Sequence, residues 1–328
     1  GYSMFERVFK LSEHKTTVKT EVMAGITTFM TMAYILAVNP SVLGSTGMDT
    51  TAVLLATALA SCLGTLCMAF MANLPFALSA GMGLNAFMAY TVVAGYGYSW
   101  QVALLAVFIE GLIFIVLSLT NIREAIFNAI PLTLKKGVSV GIGLFIAFIG
   151  LQNSGLCVDS ATLVGIISFP ENFHTAGICA LLTLIGLFFT AVFYTRKMKG
   201  AILYGILLTW ILGMLCQVTG LYVPTPDAGF YSLFPSWGMT DFSKLGLTFG
   251  QCFNVDFSAV GIVNFIVVIF SFLFVDIFDT LGTLIGVATK AKMLDKDGKL
   301  PGIKPALLAD SIATSAGAIL GTSTTTTF

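Results

Sequence analysis

Long apolar runs alternate with short polar segments along almost the whole chain. A transmembrane helix needs about 20 mostly apolar residues, and Pro, Gly or charged residues end most of the runs near that length. The third run is the shortest and follows an irregular stretch at 74–83, so a partial helix preceded by extended chain is expected there. The pattern predicts nine membrane spans, at residues 22–43, 52–72, 84–94, 101–119, 138–151, 176–194, 201–219, 261–289 and 306–320.

Composition assigns the chain to the integral membrane proteins. Of its 328 residues, 57% are hydrophobic and 10% are charged, and the mean hydropathy is +0.94, whereas soluble domains carry about 25% charged residues. The formal net charge is zero, so no bulk charge attracts nucleic acid. The six cysteines show neither Cys-x-x-Cys nor Cys/His spacing, so we expect no metal centre, no cofactor and no disulfide framework. The N-terminus lacks the apolar core of a cleaved signal peptide.

The charged residues predict the orientation of the spans. If the N-terminus lies inside, every lysine and arginine except Lys244 falls in an inner segment, while the outer loops carry acidic residues. This is the asymmetry of the positive-inside rule. We therefore expect a multi-pass protein of the cell (plasma) membrane with a cytoplasmic N-terminus. Residues 221–258 then form an extracellular excursion, whose aromatic side chains suit the membrane interface.

Two carboxylates interrupt the long apolar run at 261–289. Asp276 and Asp279 are spaced i, i+3, which places them on one face of a helix. An Asp at the centre of a membrane helix costs about 2.5–3.5 kcal/mol, and such residues mark functional sites. The alternative is a structural pair that caps or bonds a neighbouring helix.

Two further acids lie within predicted spans, Asp310 in the ninth and Glu110 in the fourth. Low dielectric disfavours the charged form of a carboxylate, so Asp276, Asp279 and Asp310 are candidates for accepting a proton. For Asp310 we prefer a second interpretation, which is a favourable position near a helix N-terminus. Glu110 is expected to bond a neighbouring helix.

A weak internal repeat relates the second span to the ninth. Residues 53–64 align with 306–317 at an offset of 253, and the step from the second span to the ninth is seven spans, an odd number, so the two copies would be inverted. A glycine-rich stretch follows the first copy and the threonine-rich end 321–328 follows the second. Paired interrupted segments of this kind point to the midplane site of a transporter, where two extended stretches can pair with each other. The identical pairs are Leu54/Leu307, Leu55/Leu308, Ala56/Ala309, Ala60/Ala313 and Gly64/Gly317.

Three motifs, AGMGLNAF at 80–87, FVDIFDTLGTLIGVA at 274–288 and ADSIATSAGAILGTSTTTTF at 309–328, resemble those of a known transporter family. The opening pattern FKLSEHKTTVKTEVMAGITTFMTMAYILAVNP is similar as well. Together they resemble the AzgA-like purine permeases of the nucleobase–ascorbate (nucleobase:cation symporter-2) family, over essentially the whole chain.

The resemblance implies an all-α polytopic membrane protein of two inverted seven-span repeats, with short extended strands in spans 3 and 10. The chain would cover about nine spans and the start of the tenth. It also implies a core domain that moves against a gate domain like an elevator. The expected divisions are a cytoplasmic N-terminus (1–21), core spans 1–4 (22–120), gate spans 5–7 (121–220), the extracellular excursion (221–258), and core spans 8–9 with the start of span 10 (259–328).

The resemblance also implies the roles of individual residues. Asp276 matches the base-binding carboxylate, and Asp279 matches an acidic position that supports the site or its protonation. Asn85 matches a polar position needed for purine recognition, and Phe328 matches the strand position whose backbone approaches the base. The other expected substrate-binding residues are Gly83 and Phe87 of the same motif; Phe87 could stack on the ring or simply pack.

The expected partners are a purine nucleobase, a co-transported proton and the lipid bilayer; the resemblance allows a homodimer. An Asp accepts hydrogen bonds and an Asn both donates and accepts, so Asp276 and Asn85 can bind the mixed edge of a purine. The motif AGMGLNAF favours hypoxanthine and guanine, with adenine next. In the family, a glutamate and four more spans follow the Thr-rich strand, so we expect a portion of a longer protein, unable to transport as it stands.

Two alternatives come from other classes. An intramembrane aspartyl protease needs its two acids on different helices in YD and GxGD contexts, and neither context occurs around Asp276 or Asp279. An anion transporter of the same fold would favour a basic or hydroxyl-lined site, yet the predicted spans contain no Lys or Arg. A uracil or xanthine transporter of the same fold stays open. The sequence therefore predicts a transporter and no enzyme.

Overall fold

The computed structural model describes residues 4–10, 16–198, 200–228, 230–235, 242–255, 261–290 and 303–327. Helices dominate it. Their bounds are α1 Met4–Phe9, α2 Val18–Met32, α3 Ile35–Gly44, α4 Thr50–Cys67, α5 Met82–Ala86, α6 Trp100–Leu119, α7 Ile122–Ala129, α8 Leu132–Asn153, α9 Ile178–Thr195, α10 Ala201–Thr219, α11 Ile262–Lys290 and α12 Ile303–Leu320. Three π-helical turns, Met68–Ala72, Phe87–Val93 and Phe173–Gly177, extend α4 and α5 and precede α9.

Eight of these helical segments are long and apolar enough to cross a membrane, within the described residues. The shorter apolar helix Gly83–Val93 lies where the sequence predicted a partial third span, and the polytopic helical fold is confirmed. One predicted boundary was wrong: α8 begins at Leu132 instead of residue 138. Lysine side chains near a membrane boundary can extend their charged ends toward water, so Lys136 does not prevent an early helix start.

Two short strands pair although they lie far apart in the sequence. Strand β1 (Leu78–Ala80) precedes α5 and strand β4 (Thr325–Thr327) follows α12. They pair antiparallel, with Ser79 opposite Thr326. The predicted meeting of the glycine-rich and threonine-rich stretches is therefore confirmed. Pairing satisfies backbone groups that lipid could not hydrogen-bond.

The sequence did not predict a second strand pair, β2 (Cys157–Ser160) with β3 (Leu163–Ile166). This antiparallel hairpin lies between α8 and α9 and is largely exposed. Its tight connection holds Leu163 at φ 82°, a left-handed conformation that a branched residue rarely adopts. A turn without Asn-Gly or Asp-Gly lacks the sequence signal that predicts a hairpin.

The chain folds into two compact units. The first comprises residues 1–22, 34–143 and 240–328, and the second comprises residues 23–33 and 144–239. In the second unit, α9 and α10 pack closely, since a methyl group on Gly186 would meet the Thr209 side chain. The first unit contains both paired strands β1 and β4 and the acids discussed above.

Glycines allow the helices of the first unit to pack closely around α12. A methyl group on Gly64 of α4 would lie 2.9 Å from Ala313 Cβ, and one on Gly317 would lie 3.5 Å from Ala60 Cβ. A methyl group on Gly111 of α6 would meet the backbone nitrogen of Ser315 at 2.8 Å. Helix α12 therefore packs closely on α4 and α6, and β4 follows it after the four buried residues 321–324.

Candidate functional site

Residues 322–326, which we call the Thr-rich segment, are fully buried between helices. The segment runs from the end of α12 into β4, and its backbone carbonyl at Thr324 accepts a hydrogen bond from Gly81 N–H at 3.1 Å. Its groups each bond a different partner: Thr322 with Asn39, Ser323 with Asn85, Thr324 with Glu110, the Thr325 carbonyl with Thr314, and Thr326 with Thr280. The segment therefore joins polar residues of five helices.

Asp276 lies fully buried beside this segment. Thr280, one helical turn further along α11, donates its hydroxyl to Asp276 Oδ1 at 3.0 Å. The same hydroxyl lies 3.4 Å from Asp310 Oδ2 and 2.8 Å from the Thr326 hydroxyl. We call Asp276, Thr280, Asp310 and Thr326 the acidic node. It joins α11, α12 and β4.

Asp279 faces the other strand. A methyl group on Gly81 would lie 2.6 Å from Asp279 Oδ2, so the carboxylate packs against the residue that follows β1. Asp276 and Asp279 thus lie on one side of α11, as their spacing predicted, and Asp279 lies within electrostatic range of both Asp276 and Asp310. Glycine at position 81 leaves room for this carboxylate.

Asn85 is fully buried in α5, and its Oδ1 accepts a hydrogen bond from Ser323 Oγ. Gly83 precedes it by two residues and is half-buried, and its carbonyl accepts the Phe87 N–H. The Phe87 ring packs edge-on against Phe272, with centroids 5.0 Å apart. Its position in that apolar cluster favours packing over stacking on a substrate. Phe328 lies outside the described residues.

Four buried polar atoms in or beside the strand pair have no hydrogen-bond partner among the described residues: Thr325 Oγ1 of β4 itself, and Asp276 Oδ2, Asp279 Oδ2 and Asn85 Nδ2 on the helices next to it. Leaving such an atom unsatisfied costs about 1–3 kcal/mol, so buried groups of this kind call for a partner. The carboxylate oxygens are acceptors and the amide nitrogen is a donor. The arrangement suits a small polar molecule that carries both N–H donors and an acceptor.

Asp310 does not lie where a helix dipole would matter. Helix α12 begins at Ile303, so Asp310 lies beyond the first turn, to which the dipole effect is confined. Glu110 contacts the Thr-rich segment through Thr324, at 3.4 Å. Glu110 therefore bonds the Thr-rich segment directly, and Asp310 is linked to it through the Thr280 hydroxyl, which also bonds Thr326.

Sequence reasoning missed a second buried polar group, formed by Asn39, Thr57 and Thr322, which we call the neutral node. Asn39 Nδ2 donates to the hydroxyls of Thr57 and, at 2.8 Å, Thr322. The sequence feature that could have indicated it was an Asn before Pro40 in an apolar span. Thr57 also donates to the Val53 carbonyl of its own helix. Because this bond satisfies the hydroxyl, a threonine in an apolar span does not by itself indicate a functional site.

The described residues contain no cluster of three or more His, Cys, Asp and Glu side chains that could hold a metal ion. The polar groups that the structure describes at the site are carboxylates, hydroxyls and an amide, which can hydrogen-bond a small polar molecule and exchange protons.

Known permeases resemble this chain over almost its whole length. A protein of Methanocaldococcus jannaschii is 47% identical over 324 residues, which cover 98% of this chain and 69% of that protein. The guanine/hypoxanthine permease PbuO of Bacillus subtilis is 43% identical (98% and 70%), and the adenine permease AdeP of Escherichia coli is 40% identical (100% and 69%). Residues 19–328 match the xanthine/uracil permease model, described as Permease family. Matches of this extent assign the multi-pass protein to a family of transporters: the chain belongs to the xanthine/uracil permeases.

Proposed function

We propose that this protein imports purine nucleobases across the cell membrane, with hypoxanthine and guanine favoured and adenine as a further substrate. The observation that carries the proposal is that Asp276, Asp279 and Asn85 each have a buried polar atom beside the β1–β4 pair with no partner among the described residues. They combine two acceptors with one donor in a buried site, which is the complement of a purine edge.

The donor and acceptor pattern supports this substrate class. A 6-oxopurine offers N–H groups to Asp276 Oδ2 and Asp279 Oδ2, and it offers its carbonyl oxygen or a ring nitrogen to Asn85 Nδ2. A hydrogen bond to a charged group contributes about 1.5–3 kcal/mol, so a few of them allow reversible binding. An anion would instead meet two carboxylates, which argues against the anion-transport alternative.

The names of the relatives support the class without choosing a member of it. PbuO is a guanine/hypoxanthine permease and AdeP is an adenine permease. Their identities to this chain, 43% and 40%, are too similar to separate the two specificities. The preference for 6-oxopurines rests on the motif at 80–87. Uracil or xanthine could form hydrogen bonds with the same three side chains.

We also propose that a proton enters with the purine. Asp276, Asp279 and Asp310 lie within electrostatic range of one another around Thr280. Like charges this close repel one another strongly in a low dielectric. A proton bound to the cluster offsets that repulsion, so uptake of a proton belongs to the same site as uptake of the base.

The proposal includes two inverted repeats, with a core of residues 22–120 and 259–328 that moves like an elevator against a gate of residues 121–220. Reciprocal contacts support the repeats: Gly64 lies against Ala313 and Gly317 against Ala60, and these residues align in pairs at the offset of 253. Such exchange of partners is what a two-fold relation requires. We also propose that the N-terminus is cytoplasmic and that the protein forms a homodimer.

Uptake measurements test the function directly. The full-length protein, expressed in cells that lack their own purine permeases, is expected to take up labelled hypoxanthine and guanine, adenine less, and uracil least. A proton uncoupler should abolish accumulation, and replacing sodium should not. Uptake that ignores the uncoupler and requires sodium would contradict proton coupling, and uptake of none of the purines would contradict the function.

A further inference from the structure

We propose that the Thr280 hydroxyl relays a proton between Asp310 and Asp276, so that Asp310 stores the proton while Asp276 binds the base. The inference rests on the proposed function, because it concerns how the same site links the base to the proton. Thr280 would be a positioning and relay residue: it acts on the purine through Asp276.

The geometry places one hydroxyl between two carboxylates. Thr280 Oγ1 lies 3.0 Å from Asp276 Oδ1 and 3.4 Å from Asp310 Oδ2, and all three side chains are buried. A hydroxyl has one proton to donate and two lone pairs to accept, so Thr280 can accept from one acid while it donates to the other. The Thr326 hydroxyl, at 2.8 Å, holds Thr280 in place from the strand side.

The proton balance is simple. A protonated Asp310 donates its proton to Thr280 Oγ1 while the proton of Thr280 passes to Asp276 Oδ1. Asp310 ends as a carboxylate, Asp276 ends as a carboxylic acid, and Thr280 is again a neutral hydroxyl. No bond between heavy atoms forms or breaks. The transfer converts Asp276 from a charged acceptor into a neutral acid, which weakens its hydrogen bond to a purine N–H.

The neutral node provides an internal comparison. In the aligned windows Thr57 takes the position of Asp310, and it contacts the Thr-rich segment directly, with its hydroxyl 3.4 Å from that of Thr322. Hydrogen bonds between neutral side chains are therefore enough to hold the Thr-rich segment against one of the two repeats. An acid at 310 is not needed for packing, and burying a carboxylate is costly, which points to a chemical role.

Other titratable groups also face this cluster. Asp279 on α11 lies within electrostatic range of Asp276 and Asp310, and Glu110 on α6 contacts the neighbouring Thr324. Their charges set the total number of protons that the cluster holds. The proposed relay concerns only the proton path between Asp310 and Asp276. Removing the Thr280 hydroxyl tests that path without changing any charge.

Measuring two modes of transport distinguishes a loss of the proton relay from a loss of purine binding. Exchange of labelled for unlabelled hypoxanthine at equal pH needs no net proton movement, whereas accumulation driven by an inward proton gradient does. Both are measured on the full-length protein in vesicles, for Thr280→Val, Thr280→Ser and the matched control Thr57→Val. Thr280→Val should lower the ratio of accumulation to exchange by about tenfold or more, a typical coupling between two linked sites. Thr280→Ser should restore the ratio, and Thr57→Val should keep it.

The relay is overturned if Thr280→Val keeps the wild-type ratio, if serine does not restore it, or if Thr57→Val lowers it equally. Parallel loss of both modes in Thr280→Val would assign Thr280 a purely structural role and would overturn the relay too. Asp310→Asn, which keeps the shape but cannot store a transferable proton, should lower the ratio like Thr280→Val. A wild-type protein that exchanges purines without proton-driven accumulation would overturn symport instead.

Discussion

Gly64 and Ala313 touch where α4 packs on α12: a methyl group on Gly64 would lie 2.9 Å from the Ala313 Cβ atom. The same methyl group would lie 3.0 Å from Leu78 Cβ in β1. One missing side chain thus allows a helix–helix contact and a helix–strand contact at the same point. One turn further along the same face of α12, Gly317 does the same for Ala60 and Thr325, so both strands of the pair depend on glycine in the helix beside them.

Adding a methyl group at either glycine should destabilise the protein. In Gly64→Ala the new atom meets Cβ atoms that cannot rotate away, and overpacking of this kind costs about 1–3 kcal/mol. Gly317→Ala should act similarly through Thr325 Oγ1, at 2.7 Å. Thermal unfolding in detergent measures the effect. Gly141→Ala in α8 is the control because nothing lies within 4 Å of its added methyl group, and equal loss in all three variants would contradict the contact.

Asp276 should be required for the base itself. Asp276→Asn keeps the size of the side chain but replaces the charged acceptor, and the loss of about 1.5–3 kcal/mol should weaken purine binding by tenfold or more. Binding of hypoxanthine to the purified protein measures this. Asp159→Asn, an exposed acid of β2, is the matched control. Wild-type affinity in Asp276→Asn would remove Asp276 from the site.

Asn85 should determine which purine is preferred. Its Oδ1 is occupied by Ser323 Oγ, so its Nδ2 is the group left to donate. Asn85→Asp removes that donor and should weaken binding of hypoxanthine, which offers a carbonyl oxygen at position 6, more than binding of adenine, which offers an amino group there. Competition of the two bases for uptake measures the ratio.

The control for this change is Asn254→Asp, since Asn254 is exposed and lies in the loop before α11. It should leave the preference as it is. If Asn85→Asp weakened both purines equally, Asn85 would support the site without selecting the base.

The hydrophobic pattern was sufficient to predict the eight helices of membrane length in the described residues and the shorter helix Gly83–Val93, because an apolar run of membrane length leaves few other structures open. The strand pair could be predicted for a related reason: glycine-rich and threonine-rich stretches make poor membrane helices. Asp276 and Asp279 stood out because a carboxylate at that depth is costly.

Thr280, Asn39 and Thr57 could not be found in the same way. A threonine can satisfy its hydroxyl on the carbonyl one turn earlier, as Thr57 does on Val53, so the sequence does not distinguish a threonine that packs from one that joins two acids. The distinction depends on which helices meet. Partners such as Thr280 and Asp310 come from different helices, and a single sequence gives their spacing but not their crossing point.

The register of the strand pair predicts a specific cross-link. Ala80 lies directly opposite Thr325, and opposed residues in antiparallel strands have Cβ atoms about 4.5–5.5 Å apart, close enough for a disulfide after small adjustments. Ala80→Cys combined with Thr325→Cys should therefore form a bond under mild oxidation, detected as a linked peptide pair by mass spectrometry. Ala80→Cys with Thr322→Cys is the control, because Thr322 lies beside Asn39 instead. A link in the control and none in the opposed pair would contradict the register and, with it, the placement of the Thr-rich segment against Asp276.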